Sequence, residues 1–203
     1  MKSLSEIETV SKRSSRAAGY SWGIAEEIGK NIRLLEFFSL PGIKNLNDFL
    51  NNKKNIKLEN LSLITEDNNT NNSQYCPIIA GVNFLDQIKT LENLSKINFK
   101  NIAYPMLFLP FVSRASEIVG KRIFLKLDEK EFLMNFNNCI HSNFSQQEIT
   151  KTAEHASIKI LKNKDSFSEN EWKELYKLSE ETFVEENESL KNSGAGAGLT
   201  DND

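Results

Sequence analysis

The residues best placed to do chemistry are Glu26 and Glu27, adjacent carboxylates in the run Trp22-Gly23-Ile24-Ala25-Glu26-Glu27. They sit at the start of an expected helix, and two readings are open. In one, the acids only meet the positive end of the helix dipole. In the other, one of them is a buried acid or base with Arg16 or Arg33 opposite. A carboxylate beside an arginine is held ionised and oriented, which suits substrate binding more than proton transfer. In an enzyme built this way Arg33 or Arg114 would bind a substrate carboxylate, with Arg16 and Trp22 as further binding candidates.

A second constellation closes the chain. Gly194, Gly196 and Gly198 have the spacing of a phosphate cradle, but a dinucleotide loop needs a strand before it and a helix after it. Too little chain follows Gly198 to form that helix. The segment is then either a frayed terminus or a flexible arm. As an arm it would present Asp201, Asp203 and the terminal carboxylate to an arginine cluster, a helix N-terminus or a partner's metal. As a lid it would use the freedom of its glycines to fold over a site.

Other candidates are weaker. Cys139-x-His141 puts a thiol and an imidazole two positions apart, whereas a nucleophilic cysteine needs its histidine in space. Cys76-Pro77 reads as a small buried residue before a turn. No His, Cys, Asp or Glu group has metal-ligand spacing, and no nucleophile elbow or Walker loop is present. No metal or cofactor is therefore expected. Lys12-Arg13-Ser14-Ser15-Arg16 reads as a solvated helix face.

The elements that must position these residues follow from periodicity. Ser3 and Glu6 form a capping box that opens a first helix. Leu4, Ile7, Val10 and Ser14 line its inner face, and Gly19 ends it. Ser21 caps a second helix with Ile24, Ile28, Ile32 and Leu35 as its apolar stripe. Ala25 and Gly29 give that helix a small-residue face for a close neighbour. Pro41-Gly42 ends it, and a short third helix turns Ile43, Leu46, Phe49 and Leu50 inward. Leu58 to Thr65 reads as a strand, and Glu66 to Gln74 as a mobile loop. A helix from about Val82 buries Phe84, Leu85, Ile88 and Leu91.

Residues 102 to 137 read as β-structure. Met106 to Val112, with Pro105 and Pro110 nearby, reads as an edge or broken strand. Arg122 to Leu127 alternates, Glu131 to Asn137 is a further strand, and Ser157 to Leu161 is the last. Ser145 with Glu148 and Ser168 with Glu171 are two more capping boxes. The second opens a helix with Trp172, Leu175, Ser179 and Phe183 on one face. The fold class is α+β. An N-terminal helical unit packs with a mostly antiparallel sheet of four or five strands, and a C-terminal helix is followed by the Gly-rich tail. Residues 1–192 form one domain and 193–203 the tail.

Composition excludes some functions. The chain has 203 residues, 39% of them hydrophobic and 26% charged, with a net charge of −3. That balance gives no footprint for nucleic acid. The apolar run Ile102 to Val112 is far shorter than the ~20 residues of a membrane helix. Two cysteines, and acids where a signal peptide needs an apolar stretch, point to the cytoplasm. The 24 asparagines mark loops where they cluster.

Four blocks together resemble a bacterial family of unknown function (domain of unknown function number 3726). They are Ser-Leu-Ser-Glu-Ile-Glu, Arg16-Ala-Ala-Gly19-x-Ser21-Trp22-Gly23-x-Ala25-Glu26-Glu27-x-Gly29, Cys76-Pro77 and the ending Gly-Ala-Gly-Ala-Gly-Leu-Thr-Asp-Asn-Asp. The resemblance runs from the first helix to the last residue. It implies a complete small protein whose tail is part of the pattern and docks, and it implies no reaction. Where the family has a Ser-Arg pair before the tail, this chain has Leu190-Lys191, and lysine cannot make the same bidentate contact.

Three functions are expected in descending order. The first is an accessory protein docking on a partner through its acidic tail. The second is a cofactor-free lyase, isomerase or hydrolase using Glu26 or Glu27 on a small-molecule ligand. The third is a homodimer with exchanged tails.

Overall fold

Ser3 starts the first helix, its hydroxyl accepting from the Glu6 N–H at 3.1 Å. The computed structural model describes residues 2–137, 139–143 and 149–182. The chain falls into two compact units, Met1–Asn163 and Lys164–Asp203.

In the first unit α1 (Leu4–Ala17) ends before Gly19, whose φ of +98° favours glycine. Its inner face is rotated from the expected one. Val10 and Ser14 are exposed, while Ser11 and Ser15 are buried. The reason is the neighbour: α2 (Trp22–Phe37) brings Gly29 so close that a Cβ there would lie 2.8 Å from the Glu8 carbonyl oxygen. Only small side chains fit such a contact, and the Ser15 hydroxyl satisfies itself on the Ser11 carbonyl at 2.8 Å. The α2 stripe is as expected, with Ile28, Ile32 and Leu35 buried and Ile24 half-buried. α3 (Gly42–Asn52) turns Leu46 and Phe49 inward, but Ile43 is exposed. Its first turn is capped from outside by Glu36, whose carboxylate accepts from the Ile43 N–H at 2.8 Å.

Leu58 to Thr65 is not one strand. Only β1 (Leu58–Glu59) pairs. The rest is held by amide side chains: Asn83 donates to the Leu61 carbonyl at 2.6 Å, and Gln87 bridges Ser62 and Ile64. The expected mobile loop carries β2 (Asp67–Asn68) and β3 (Gln74–Tyr75). Asn68 is buried and donates to the carbonyls of Thr65 and Asn98. Backbone groups tied this way need no longer ladder.

α4 (Pro77–Leu91) begins at Pro77, earlier than expected, because proline is pre-organised for a helix's first turn. β4 (Ile97–Ala103) follows. The apolar run after it is not a strand. It is a 3₁₀ turn, Pro105–Leu107, and α5 (Leu109–Val119), which ends at Gly120 in the left-handed region. Leu109, Phe111, Val112 and Ala115 are all fully buried. The run from Met106 to Val112 is buried at every position and so carries no amphipathic period, and sequence alone does not separate such a run from a buried strand.

β5 (Ile123–Leu127) and β6 (Lys130–Met134) form a tight hairpin, with Asp128 at positive φ in its turn. β7 (Ile140–Ser142) and β8 (Thr152–Ile160) complete the sheet. Among the described residues it has eight strands, in the order β1-β3-β4-β8-β5-β6-β7, with β2 also on β4. It is mixed: β1, β2, β3 and β4 pair in parallel and the rest antiparallel. The core lies between this sheet and the helices. Phe84 of α4 and Phe99 of β4 meet Phe108 edge to face at 5.9 and 5.4 Å. The Ser145–Glu148 capping box lies outside the described residues.

In the second unit α6 (Glu169–Glu180) has a full capping box between Ser168 and Glu171. Phe167 stacks on Trp172 at 5.5 Å, which adds a hydrophobic staple. Trp172, Leu175, Tyr176 and Leu178 are all at least half exposed. Phe183 and the tail lie outside the described residues.

Candidate functional site

Glu27 does meet an arginine, but not Arg16 or Arg33. Its carboxylate binds the Arg114 guanidinium, brought by α5, and Lys30 at 3.3 Å. Burial pushes this carboxyl up, and Arg114 and Lys30 outweigh it, so the net pKa lies below the usual carboxylate range. A carboxylate held ionised in this way suits orientation rather than proton transfer. Glu26 is exposed and pairs with Lys30 at 3.3 Å. Arg33 pairs with Glu8 of α1 at 3.0 Å. Arg16 donates to the Tyr20 carbonyl at 3.0 Å and lies over the exposed Trp22 ring, 5.4 Å from its centre. These residues therefore fasten α1, α2 and α5 together, and the Trp22 ring faces the Arg16 guanidinium. Gly194, Gly196, Gly198, Asp201 and Asp203 lie outside the described residues. Cys139 sits just before β7 and His141 within it, with no hydrogen bond joining them among the described residues.

A larger cavity than any beside these residues lies elsewhere. It is a cleft of about 620 Å³ at the end of the sheet where β4 leaves and β8 enters. Its wall comes from the C-terminal turn of α3, the chain before β1, the turn before β3, and Asn101, Tyr104, Lys151 and Thr152. One carboxylate organises it. Asp48, on α3, accepts the Tyr104 hydroxyl at 2.6 Å and the Asn52 amide at 3.0 Å, and lies 3.7 Å from the Lys151 ammonium. All three of those partners line the cleft. Gln74 donates to the Thr152 hydroxyl at 2.8 Å, across β4. Ser73 and Thr70 both donate to the Glu59 carboxylate, at 2.8 and 2.7 Å, and their hydroxyls also touch each other.

Burial pushes the Tyr104 phenol up, the Asp48 carboxylate adds to that, and the Asn52 amide opposes it. The pKa is pushed up to about 12. Tyr104 therefore keeps its proton at neutral pH and spends it on Asp48. The backbone here is unusual. Five non-glycine residues among those described have positive φ, and three of them, Asn72, Asn101 and Tyr104, line this cleft. For a bulky residue such as Tyr104 the left-handed region is costly. The ring's packing on Phe49, 5.4 Å between centres, and the bond to Asp48 hold it there.

Sequence reasoning missed this site. The one signal was the asparagine clustering, read as loops. Asn52, Asn55, Asn72 and Asn101 meet at the cleft from segments far apart in the chain.

The comparisons with known proteins come down to the N-terminal part of the chain. Residues 2–75 match the family model of a protein of unknown function, DUF3726. That covers α1 to β3 and the Arg16–Gly29 block. It stops before Cys76-Pro77 and the C-terminal ending, so the extent is narrower than the whole-chain resemblance. No curated protein and no solved structure matches the chain. The family's description names no activity, and the cleft is built partly from the matched segment (Asp48 to Gln74) and partly from Asn101 to Thr152 beyond it.

Proposed function

We propose that this protein binds a small polar molecule in the cleft between α3 and the sheet end. The observation that carries the reading is Asp48, a single carboxylate that orients Tyr104, Asn52 and Lys151 toward one cavity. A cavity of this size with a few fixed polar groups is the usual form of a small-molecule site. The left-handed backbones that converge on it are further support, since strain of this kind gathers at binding sites. The test is amide chemical-shift mapping of the whole protein with a library of polar metabolites. The expected result is movement of residues 72–74, 101–104 and 151–152, reduced by Tyr104→Phe. Shifts confined to the α1–α2 region would reject the cleft in favour of Glu26 and Glu27.

A second reading is the accessory protein, and α6 favours it. Its exposed apolar stripe is Trp172, Leu175, Tyr176 and Leu178. Around the helix, Glu169 and Glu180 border one side of that stripe and Glu174 the other, with Lys173 and Lys177 behind. Such a helix suits an apolar groove with basic rims on a partner. The acidic ending, Asp201 to Asp203, would extend the same contact. In this reading the protein works in the cytoplasm, where Cys76 and Cys139 stay reduced. Intact-complex masses of the tagged protein from its host test it. The expectation is a second protein in fixed ratio, lost from Trp172→Ala/Leu175→Ala and weakened in a chain ending at Ser193. A mass doubling would indicate exchanged copies instead, and a monomer in every case would reject docking.

A further inference from the structure

The cleft's charges define what it can hold, given the binding reading above on which this inference rests. Both carboxylates beside it are already engaged. Asp48 accepts from Tyr104 and Asn52 and faces Lys151, and Glu59 accepts from Ser73 and Thr70. What faces the open space is different in kind. Asn55, Lys57, Asn72 and Asn101 line the cleft, and among the described residues their side chains make no hydrogen bond or close ion pair, Lys57 acting on Glu59 only through space. Lys151 has one distant carboxylate partner, at 3.7 Å, and its side chain is 69% exposed, so its remaining N–H groups are free. The Thr152 hydroxyl accepts from Gln74, which leaves its own proton to donate.

An ammonium can only donate, whereas an amide both donates and accepts. Two lysines therefore set the charge of the free groups, and the amides set their hydrogen-bonding pattern. A cation would meet Lys57 and Lys151 in the wall itself, while Asp48 and Glu59, though still ionised, lie behind the lining. An apolar ligand would bury amides without partners, which costs binding. An acceptor-rich anion satisfies the lysines, and hydroxyls on the same molecule satisfy the amide oxygens.

We infer that the cleft takes a small anion bearing several hydroxyl groups, held by Lys57 and Lys151 through its charge and by Asn55, Asn72 and Asn101 through its hydroxyls. The charge is a carboxylate or a phosphate ester. In this arrangement Asp48 is a positioning residue: it fixes Lys151, Asn52 and Tyr104 without touching the ligand.

Calorimetric titration of the full chain with gluconate, glucose 6-phosphate, glucose, inorganic phosphate and putrescine tests this, with cleft amide shifts read in parallel. Gluconate and glucose 6-phosphate separate the two charge sources. At least one should bind about 10-fold or more tighter than glucose, with affinity falling as salt rises. The surface variant Lys57→Ala/Lys151→Ala should lose about 10-fold or more of that binding at an unchanged melting temperature. Glucose or putrescine binding as tightly, with the cleft amides shifting, would overturn the ligand class and leave the cleft reading standing. Inorganic phosphate binding as tightly as glucose 6-phosphate would overturn the role of the hydroxyls. If neither anion moves the cleft amides at about 10 mM, a concentration that reveals even weak sites, the inference falls. The cleft reading falls with it only if the polar library is also silent there.

Discussion

At the scale of single residues, two carboxylates do opposite things from similar surroundings. Glu27 faces two cations, Arg114 and Lys30, so its ionised form is the one the fold favours. Its folded pKa lies below its unfolded value. The stability it contributes is therefore present above the unfolded value and is lost as pH falls through the folded one. Urea midpoints measured from pH 6 down to pH 3 should drop less steeply for Glu27→Gln than for the parent. An equal slope in both would mean that the Arg114 pair adds nothing. Asp48 instead takes its two close hydrogen bonds from neutral donors, with the Lys151 ammonium farther off at 3.7 Å. Asp48→Ala leaves the buried Tyr104 hydroxyl without its partner, at a cost of about 1–3 kcal/mol. Adding Tyr104→Phe removes the orphaned hydroxyl, so the double variant should recover part of that loss in equilibrium urea unfolding. A double variant weaker than the sum of the two singles would show that Tyr104 is held by something other than Asp48.

Elements are positioned mainly by how closely their backbones approach, and the glycines report this. A Cβ on Gly81 of α4 would overlap the Phe111 ring of α5. Gly81→Ala should destabilise by about 1–3 kcal/mol through overpacking of a fully buried ring. Gly23, in the first turn of α2, has nothing within 4 Å of the same built atom. Gly23→Ala should stabilise by about 0.5–1 kcal/mol, because alanine restricts the unfolded chain at no steric cost. Opposite signs in thermal melts check both, and a loss at Gly23 would mean that α2 starts differently. Sequence reading worked best for elements whose signals are local. Ser3, Ser21 and Ser168 all cap the helices they were expected to cap. It worked worst where partners are distant. Asn83 and Gln87 hold residues 61 to 64 from α4, and no local pattern shows that.

For the whole molecule, the buried apolar core ends at Ile158, and α6 buries no residue among those described. Residues 1–163 form a compact unit with its own core, so a chain ending at Asn163 should unfold in one cooperative transition. A broad or multi-step transition in urea would show that this unit does not fold on its own. The sequence by itself determined the α+β class, the starts of α1, α2 and α6, the apolar stripe of α2 and the alternation of β5. Each of these is written in capping chemistry or in a period of a few residues. The tertiary structure alone decided the rest. The run from Met106 to Val112 became a 3₁₀ turn and a buried helix because burial on all sides erases its period. The inner face of α1 turned to its serines because Gly29 lets α2 approach. Glu27 found Arg114, 87 residues away, and Asp48 found Tyr104, 56 residues away. A site assembled across such separations is set by chain topology, and topology is fixed only when the sheet and helices pack as one core.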